Sequence, residues 1–143
     1  MKNSENSKKL KFFKLWFTLG WLLVGLIIFF SLSPSQQDAT LFSHSDKFLH
    51  IFSYAFIMFY FGCIYLPGGT YRRLGIGFIL MGFVLELIQG LIGYRTMEYL
   101  DMLANLTGVL IGWLSSKTPL SSILIYSETR LEKLRKNNNT LAL

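Results

Sequence analysis

Residues 46–66 read DKFLHIFSYAFIMFYFGCIYL, a membrane-length apolar run that opens on an acid, a base and a histidine. A helix needs about 20 apolar residues to cross a hydrocarbon core of about 30 Å. This stretch supplies them, yet its first turns carry Asp46, Lys47, His50 and Tyr54. Ionisable side chains inside a membrane are expensive, so they face the bundle interior, pair with one another and mark functional sites.

Working outward, three further apolar runs cover roughly residues 12–32, 74–92 and 99–115. Half of the 143 residues are hydrophobic (52%) and only 15% are charged. Mean hydropathy is +0.42, too apolar for an ordinary water-soluble domain of this size. The expected fold is an all-α membrane protein of four transmembrane helices. The fourth run is the shortest and carries Asp101 and Asn105. The first has a basic leader, but its apolar core is longer than that of a signal peptide, and no small-x-small cleavage site follows. It is read as a retained span.

Basic residues set the orientation. Lys2, Lys8, Lys9, Lys11 and Lys14 precede or open the first run. Arg72 and Arg73 sit between the second and third, and Lys117, Arg130, Lys133, Arg135 and Lys136 follow the fourth. Only Lys47 and Arg95 lie elsewhere. The positive-inside rule then places both termini in the cytoplasm. Three regions follow: a polar N-terminus at 1–11, expected to be mobile, a four-helix membrane domain at 12–116, and a basic tail at 117–143. After Pro119, apolar and basic residues alternate in a pattern that suits an amphipathic helix on the inner membrane surface. The net charge of +6 suits anionic lipid, and no nucleic-acid partner is expected.

The polar residues fall at helical spacing. Lys47, His50 and Tyr54 share a face with Asp46 beside them. Glu86 and Gln89 share another, and Asp101, Asn105, Gly108 and Gly112 a third. With the expected topology all three faces reach one depth near the outer surface. The ligand-binding set is therefore Asp46, Lys47, His50, Tyr54, Glu86, Gln89, Arg95, Asp101 and Asn105. Asp46, Glu86, Glu98 and Asp101 outnumber Lys47 and Arg95, which are expected to pair with two of them. Glu86, the deepest acid, is placed to hold a proton or bond His50. His50 and Glu86 are the acid–base candidates.

No phosphate-binding glycine loop, H-E-x-x-H helix or cysteine cluster is present. No cofactor and no metal centre are expected. The one metal option left open is a hard cation on Glu86, Asp101 and Asn105. The lone Cys63 is read as a packing residue. Gly108 and Gly112 form a G-x-x-x-G pattern that permits close helix packing, within the bundle or between copies in a homo-oligomer.

The ordered set D-K-x-x-H-x-x-x-Y (Asp46–Tyr54), E-x-x-Q (Glu86, Gln89), Arg95 and D-x-x-x-N-x-x-G-x-x-x-G (Asp101–Gly112) resembles the VanZ-like family of small membrane proteins. The resemblance covers roughly residues 45–115. It implies a multi-pass protein of the bacterial inner membrane with a role in the cell envelope, and the family takes its name from a member associated with teicoplanin resistance. Three functions stay open at this point. One is binding of an envelope lipid head group, a lipid-linked precursor or an amphiphilic glycopeptide. The second is an intramembrane enzyme using His50 and Glu86 on a lipid-linked substrate. The third is a structural protein whose polar cluster fastens the bundle.

Overall fold

The structure is a computed structural model and describes residues 7–33, 45–92 and 98–141. Five helices follow in order: α1 (Phe13–Leu32), α2 (Ser45–Ile64), α3 (Gly69–Ile92), α4 (Tyr99–Ser115) and α5 (Ile123–Leu141). A 3₁₀ turn at Pro119–Ser122 leads into α5. No β-strand is formed among the described residues. The described residues hold one extended pairing, an isolated bridge between Ser7 and Tyr65.

α1, α2 and α3 are long and apolar enough to cross a membrane. α3 starts before its apolar run, because Thr70–Arg73 continue the helix as a polar first turn. α4 has 17 residues, about 25 Å at 1.5 Å per residue. It passes the length and hydropathy requirement only together with Pro119–Asn138, across a bend of 76°. The sequence expectation of four spans is therefore met by three helices outright, with α4 as the fourth candidate. The bend falls where Pro119 removes a backbone donor and its ring opposes continuation of the helix.

Burial is inverted relative to a water-soluble bundle. Glu86, Gln89, Asp101 and Asn105 are inside, while Leu22, Leu26, Phe29, Phe52, Leu80, Leu91 and Leu103 face outward. Apolar residues exposed around a helix bundle suit a hydrocarbon solvent.

The tightest pair is α2 with α4. These helices run parallel in constant register, with Asp101 against Lys47, Asn105 against His50, Gly108 against Tyr54 and Gly112 against Met58. A Cβ on Gly108 would stand 2.5 Å from the Ile51 carbonyl oxygen and 2.9 Å from Tyr54 Cβ. A Cβ on Gly112 would overlap the Ala55 carbonyl oxygen. Small residues at i and i+4 let the two backbones approach. The sequence allowed this pair of glycines to recruit a second copy. In this structure α2 of the same chain packs on that face. The buried face of α3 carries Tyr71, Gly75, Phe78, Gly82, Leu85 and Gln89, which alternate at three and four residues.

The N-terminus departs from expectation. Residues 1–11 read as mobile, but the described part, from Ser7, is fastened down. The Lys8 backbone N–H donates to the Ile64 carbonyl at 2.8 Å. Its ammonium donates to the Ser121 carbonyl at 2.6 Å and to the Ser121 hydroxyl at 2.9 Å. Burial pushes the Lys8 ammonium below its ordinary pKa. Glu128 of α5 then accepts from the backbone N–H of Lys11 (2.8 Å), from that of Phe12 (2.9 Å) and from the Trp16 indole (2.8 Å). The first N–H groups of a helix have no partner within it, and Phe12 offers no side-chain cap. A carboxylate from more than a hundred residues away supplies the cap.

Candidate functional site

At the end of the bundle where α2 and α4 begin, three acids and two bases from these helices meet. Lys47 Nζ lies 2.6 Å from Glu98 Oε2 and 3.4 Å from Asp101 Oδ1. Asp101 is fully buried and Glu98 is half-exposed. The long lysine therefore spans from the protein interior to the rim. His50 Nε2 stands 3.7 Å from Asp46 Oδ1, one turn earlier on its own helix, and 4.0 Å from Asp101 Oδ2. Its other nitrogen, Nδ1, lies 2.9 Å from Asn105 Oδ1. The Asp101 carboxylate thus faces Lys47 with one oxygen and His50 with the other.

Below this layer Tyr54 and Asn105 converge on Gly82 of α3. A Cβ there would stand 2.9 Å from Asn105 Nδ2 and 3.1 Å from the Tyr54 hydroxyl. One turn nearer the rim, Glu86 Oε1 accepts the Glu98 backbone N–H at 2.8 Å. Glu98 is the N-cap residue of α4 and makes no side-chain cap of its own. The Glu86 oxygen thus serves a backbone N–H that has no partner within the helix. Glu86 therefore closes α4 as Glu128 closes α1, each from another helix.

The residues expected to bind ligand sort plainly. Asp46, Lys47, His50, Asp101 and Asn105 form one contiguous cluster, with Tyr54 directly beneath. Glu86 joins through Glu98, and Asn105 takes the His50 contact that the sequence reading offered to Glu86. Gln89 turns toward α1, where its amide donates to the Ser31 carbonyl at 2.6 Å. Arg95, and with it the expected second base, lies outside the described residues, as does His44. Asp46, His50 and Asp101 bring one ligand atom each within 4.8 Å of one another.

A cleft of about 150 Å³ opens between α1 and α2 beside the cluster. Ile27, Phe30 and Ser31 form its α1 wall, and Asp46, His50 and Tyr54 part of its α2 wall. The sequence reading gave α1 no part in the site. Its contribution comes through apolar side chains and a backbone carbonyl, which carry no motif. Three buried polar atoms meet no hydrogen-bond partner among the described residues: the Tyr54 hydroxyl, Glu86 Oε2 and Gln89 Oε1. Leaving such an atom unsatisfied costs about 1–3 kcal/mol, which is a standing drive to accept a polar group. No protein-family model, curated protein or solved structure matches this chain.

Proposed function

We propose that the protein is a four-span envelope membrane protein whose polar cleft receives the head group of an amphiphile. The resemblance to the VanZ-like family agrees with this reading, as does the segregation of basic residues to the ends and loop expected in the cytoplasm. With that orientation the cluster faces outward from a bacterial inner membrane.

One observation carries the reading. Polar atoms of Tyr54, Glu86 and Gln89 are buried at one end of the bundle and lack partners among the described residues, and Tyr54 lines a cleft there beside Asp46 and His50. A head group bearing hydroxyls or an amine suits them. Lys47 meets Glu98 and Asp101, while Asp46 stands beside His50 and Glu86 accepts the Glu98 backbone N–H, so acids outnumber bases in this cluster of described residues. That excess of acids disfavours a purely anionic ligand. Pockets that enclose a whole drug-sized ligand run to about 300–1,000 Å³. At about 150 Å³ this one takes a sugar or amine moiety, with the acyl or polyprenyl chain left in the bilayer. A glycopeptide such as teicoplanin would engage it only through one projecting sugar or amine.

The test is ligand-dependent melting of the purified chain in detergent, with phosphatidylethanolamine, phosphatidylglycerol, a polyprenyl-linked amino sugar and teicoplanin as probes. A ligand at a hundred times its Kd stabilises by about 2.7 kcal/mol. An amine- or sugar-headed probe is expected to raise the melting temperature, and Asp46→Asn, at a half-buried position, to remove that rise while leaving the unliganded chain unchanged. Should no probe shift the wild-type chain, or should Asp46→Asn shift equally, the reading fails. Glycopeptide susceptibility of a deletion host carrying either form links the site to resistance.

An enzymatic reading draws on a different observation, that His50 Nδ1 lies 2.9 Å from Asn105 Oδ1, a contact that would make Nε2, beside the cleft, the basic nitrogen. It demands conversion of a lipid-linked substrate that His50→Gln abolishes while binding persists.

A further inference from the structure

We infer that Asp46, His50 and Asp101 form a binding site for a divalent first-row transition metal. The inference concerns the ion alone and stands whether or not the cleft takes an amphiphile.

The geometry is that of a ligand set in waiting. His50 Nε2 faces Asp46 Oδ1 at 3.7 Å and Asp101 Oδ2 at 4.0 Å, and all three ligand atoms fall within 4.8 Å of one another. An ion with bonds of about 2.0–2.2 Å holds neighbouring ligands roughly 3.0–3.6 Å apart. Small side-chain rotations close the difference. The three residues come from the first turns of two helices held in register by the Gly108 and Gly112 contacts, so the spacing is set by rigid elements.

The surroundings supply what a metal-binding imidazole needs. Such a ring donates its other N–H to a carbonyl or carboxylate, which fixes the ring and its tautomer. Asn105 Oδ1 is in that position, 2.9 Å from His50 Nδ1, and Asn105 is itself buried against Gly82. Asp101 is anchored from behind by Lys47, which meets Oδ1 and leaves Oδ2 on the His50 side. An independent sign of a missing guest lies alongside. The Tyr54 hydroxyl is 99% buried, lines the same cleft as Asp46 and His50, and has no partner among the described residues.

One imidazole and two carboxylates form a mixed nitrogen–oxygen set. It suits zinc, manganese or iron better than calcium or magnesium, which prefer oxygen ligands alone. Three protein ligands beside a cleft leave positions for exchangeable ligands, unlike a closed structural site.

Binding is tested on the full chain in detergent after chelator treatment, with Zn²⁺ followed by calorimetry and Mn²⁺ by electron spin-echo spectroscopy. One Zn²⁺ per chain is expected, displacing a Mn²⁺ that shows modulation from a directly bound nitrogen. Removing one outer-shell partner of a metal typically costs 10–100-fold in affinity. His50→Gln and Asp46→Asn, which remove inner ligands, are expected to weaken Zn²⁺ by at least that much, with the nitrogen modulation absent in His50→Gln. Glu132→Gln, in an exposed pair at the far end of the bundle, leaves both signals unchanged. Identical Zn²⁺ heats in the wild type and both site variants would overturn the proposal, and so would Mn²⁺ bound without nitrogen coupling. If His50→Gln does not fold, the nitrogen signal of the wild-type chain decides.

Discussion

Gly108→Ala and Gly112→Ala are expected to be severely destabilising, although each adds a single methyl group. Overpacking by one carbon usually costs about 1–3 kcal/mol, because flexible side chains can yield. Here the added carbon meets the Ile51 or Ala55 carbonyl oxygen. Backbone in the middle of α2 cannot move without breaking helical hydrogen bonds. The cost is therefore expected at the upper end, about 3 kcal/mol per substitution, with loss of the α2–α4 register and of the Asp101–Lys47 and Asn105–His50 contacts. Gly25 and Gly77 supply the contrast. Nothing lies within 4 Å of a Cβ at either, and Ala in a helix interior is better than Gly by about 0.5–1 kcal/mol. Gly77→Ala should be neutral or stabilising. Thermal melting of the four variants in one detergent checks the pattern. Equal melting for Gly108→Ala and Gly77→Ala would refute the α2–α4 pairing.

The second large effect is expected at Glu128. Glu128→Ala removes the acceptor of two backbone N–H groups and one indole N–H. Hydrogen bonds to a charged group contribute about 1.5–3 kcal/mol each, though shared losses do not add in full. A loss of about 3 kcal/mol follows, on the scale of breaking a buried charged network. Lys8, Lys9, Lys11 and Lys14 should then become open to trypsin, which gives a local readout beside global melting. Glu128→Gln keeps one acceptor oxygen but turns an amide toward one of the donors, so it should fall between wild type and Glu128→Ala. If trypsin cuts wild type and Glu128→Ala at equal rates, the N-terminal segment is not held by this carboxylate.

The same residue sets a pH dependence. Burial pushes the Glu128 carboxyl up, and the N–H donors from Phe12, Lys11 and Trp16 more than offset it, holding it below its ordinary value of 4.5. A carboxyl with a depressed folded-state pKa binds protons more readily when unfolded, so its contribution is complete above the unfolded value. That contribution is lost as the pH falls from about 4.5 through the depressed value. Melting curves of the wild type should steepen in that window, and those of Glu128→Gln should lack this component.

Periodicity made much of the site legible. Asp101, Asn105, Gly108 and Gly112 fall three and four apart, which places them on one face before any partner is known. The stripe of Lys47, His50 and Tyr54 has the same rhythm, and the two stripes meet in register. Lys47 pairs with acids as its charge required. Two features left no such mark. Ser31 joins the site through its carbonyl, a group every residue carries. Glu128 sits in a stretch whose acids and bases look like those of any solvated helix, and its partners are two backbone N–H groups and an indole 112–117 positions away. Neither composition nor spacing encodes a contact of that kind. The bend after α4 was visible as Pro119. The apolar wall from α1 was not, because a run that is hydrophobic all round shows no preferred face.

The carboxylate that completes the first turn of α1 also constrains the order in which the molecule can be built. During synthesis α1 is made before its cap, and its opening donors first meet only water. Their partner is made more than a hundred residues later, after α2, α3 and α4. The first helix is thus finished by the last, and a chain released before residue 128 keeps its opening turn undone. Joining segments so far apart ties the first turn of α1 to the docking of α5, so a chain cut before residue 128 should lay Lys8–Lys14 open to trypsin where the chain with α5 does not.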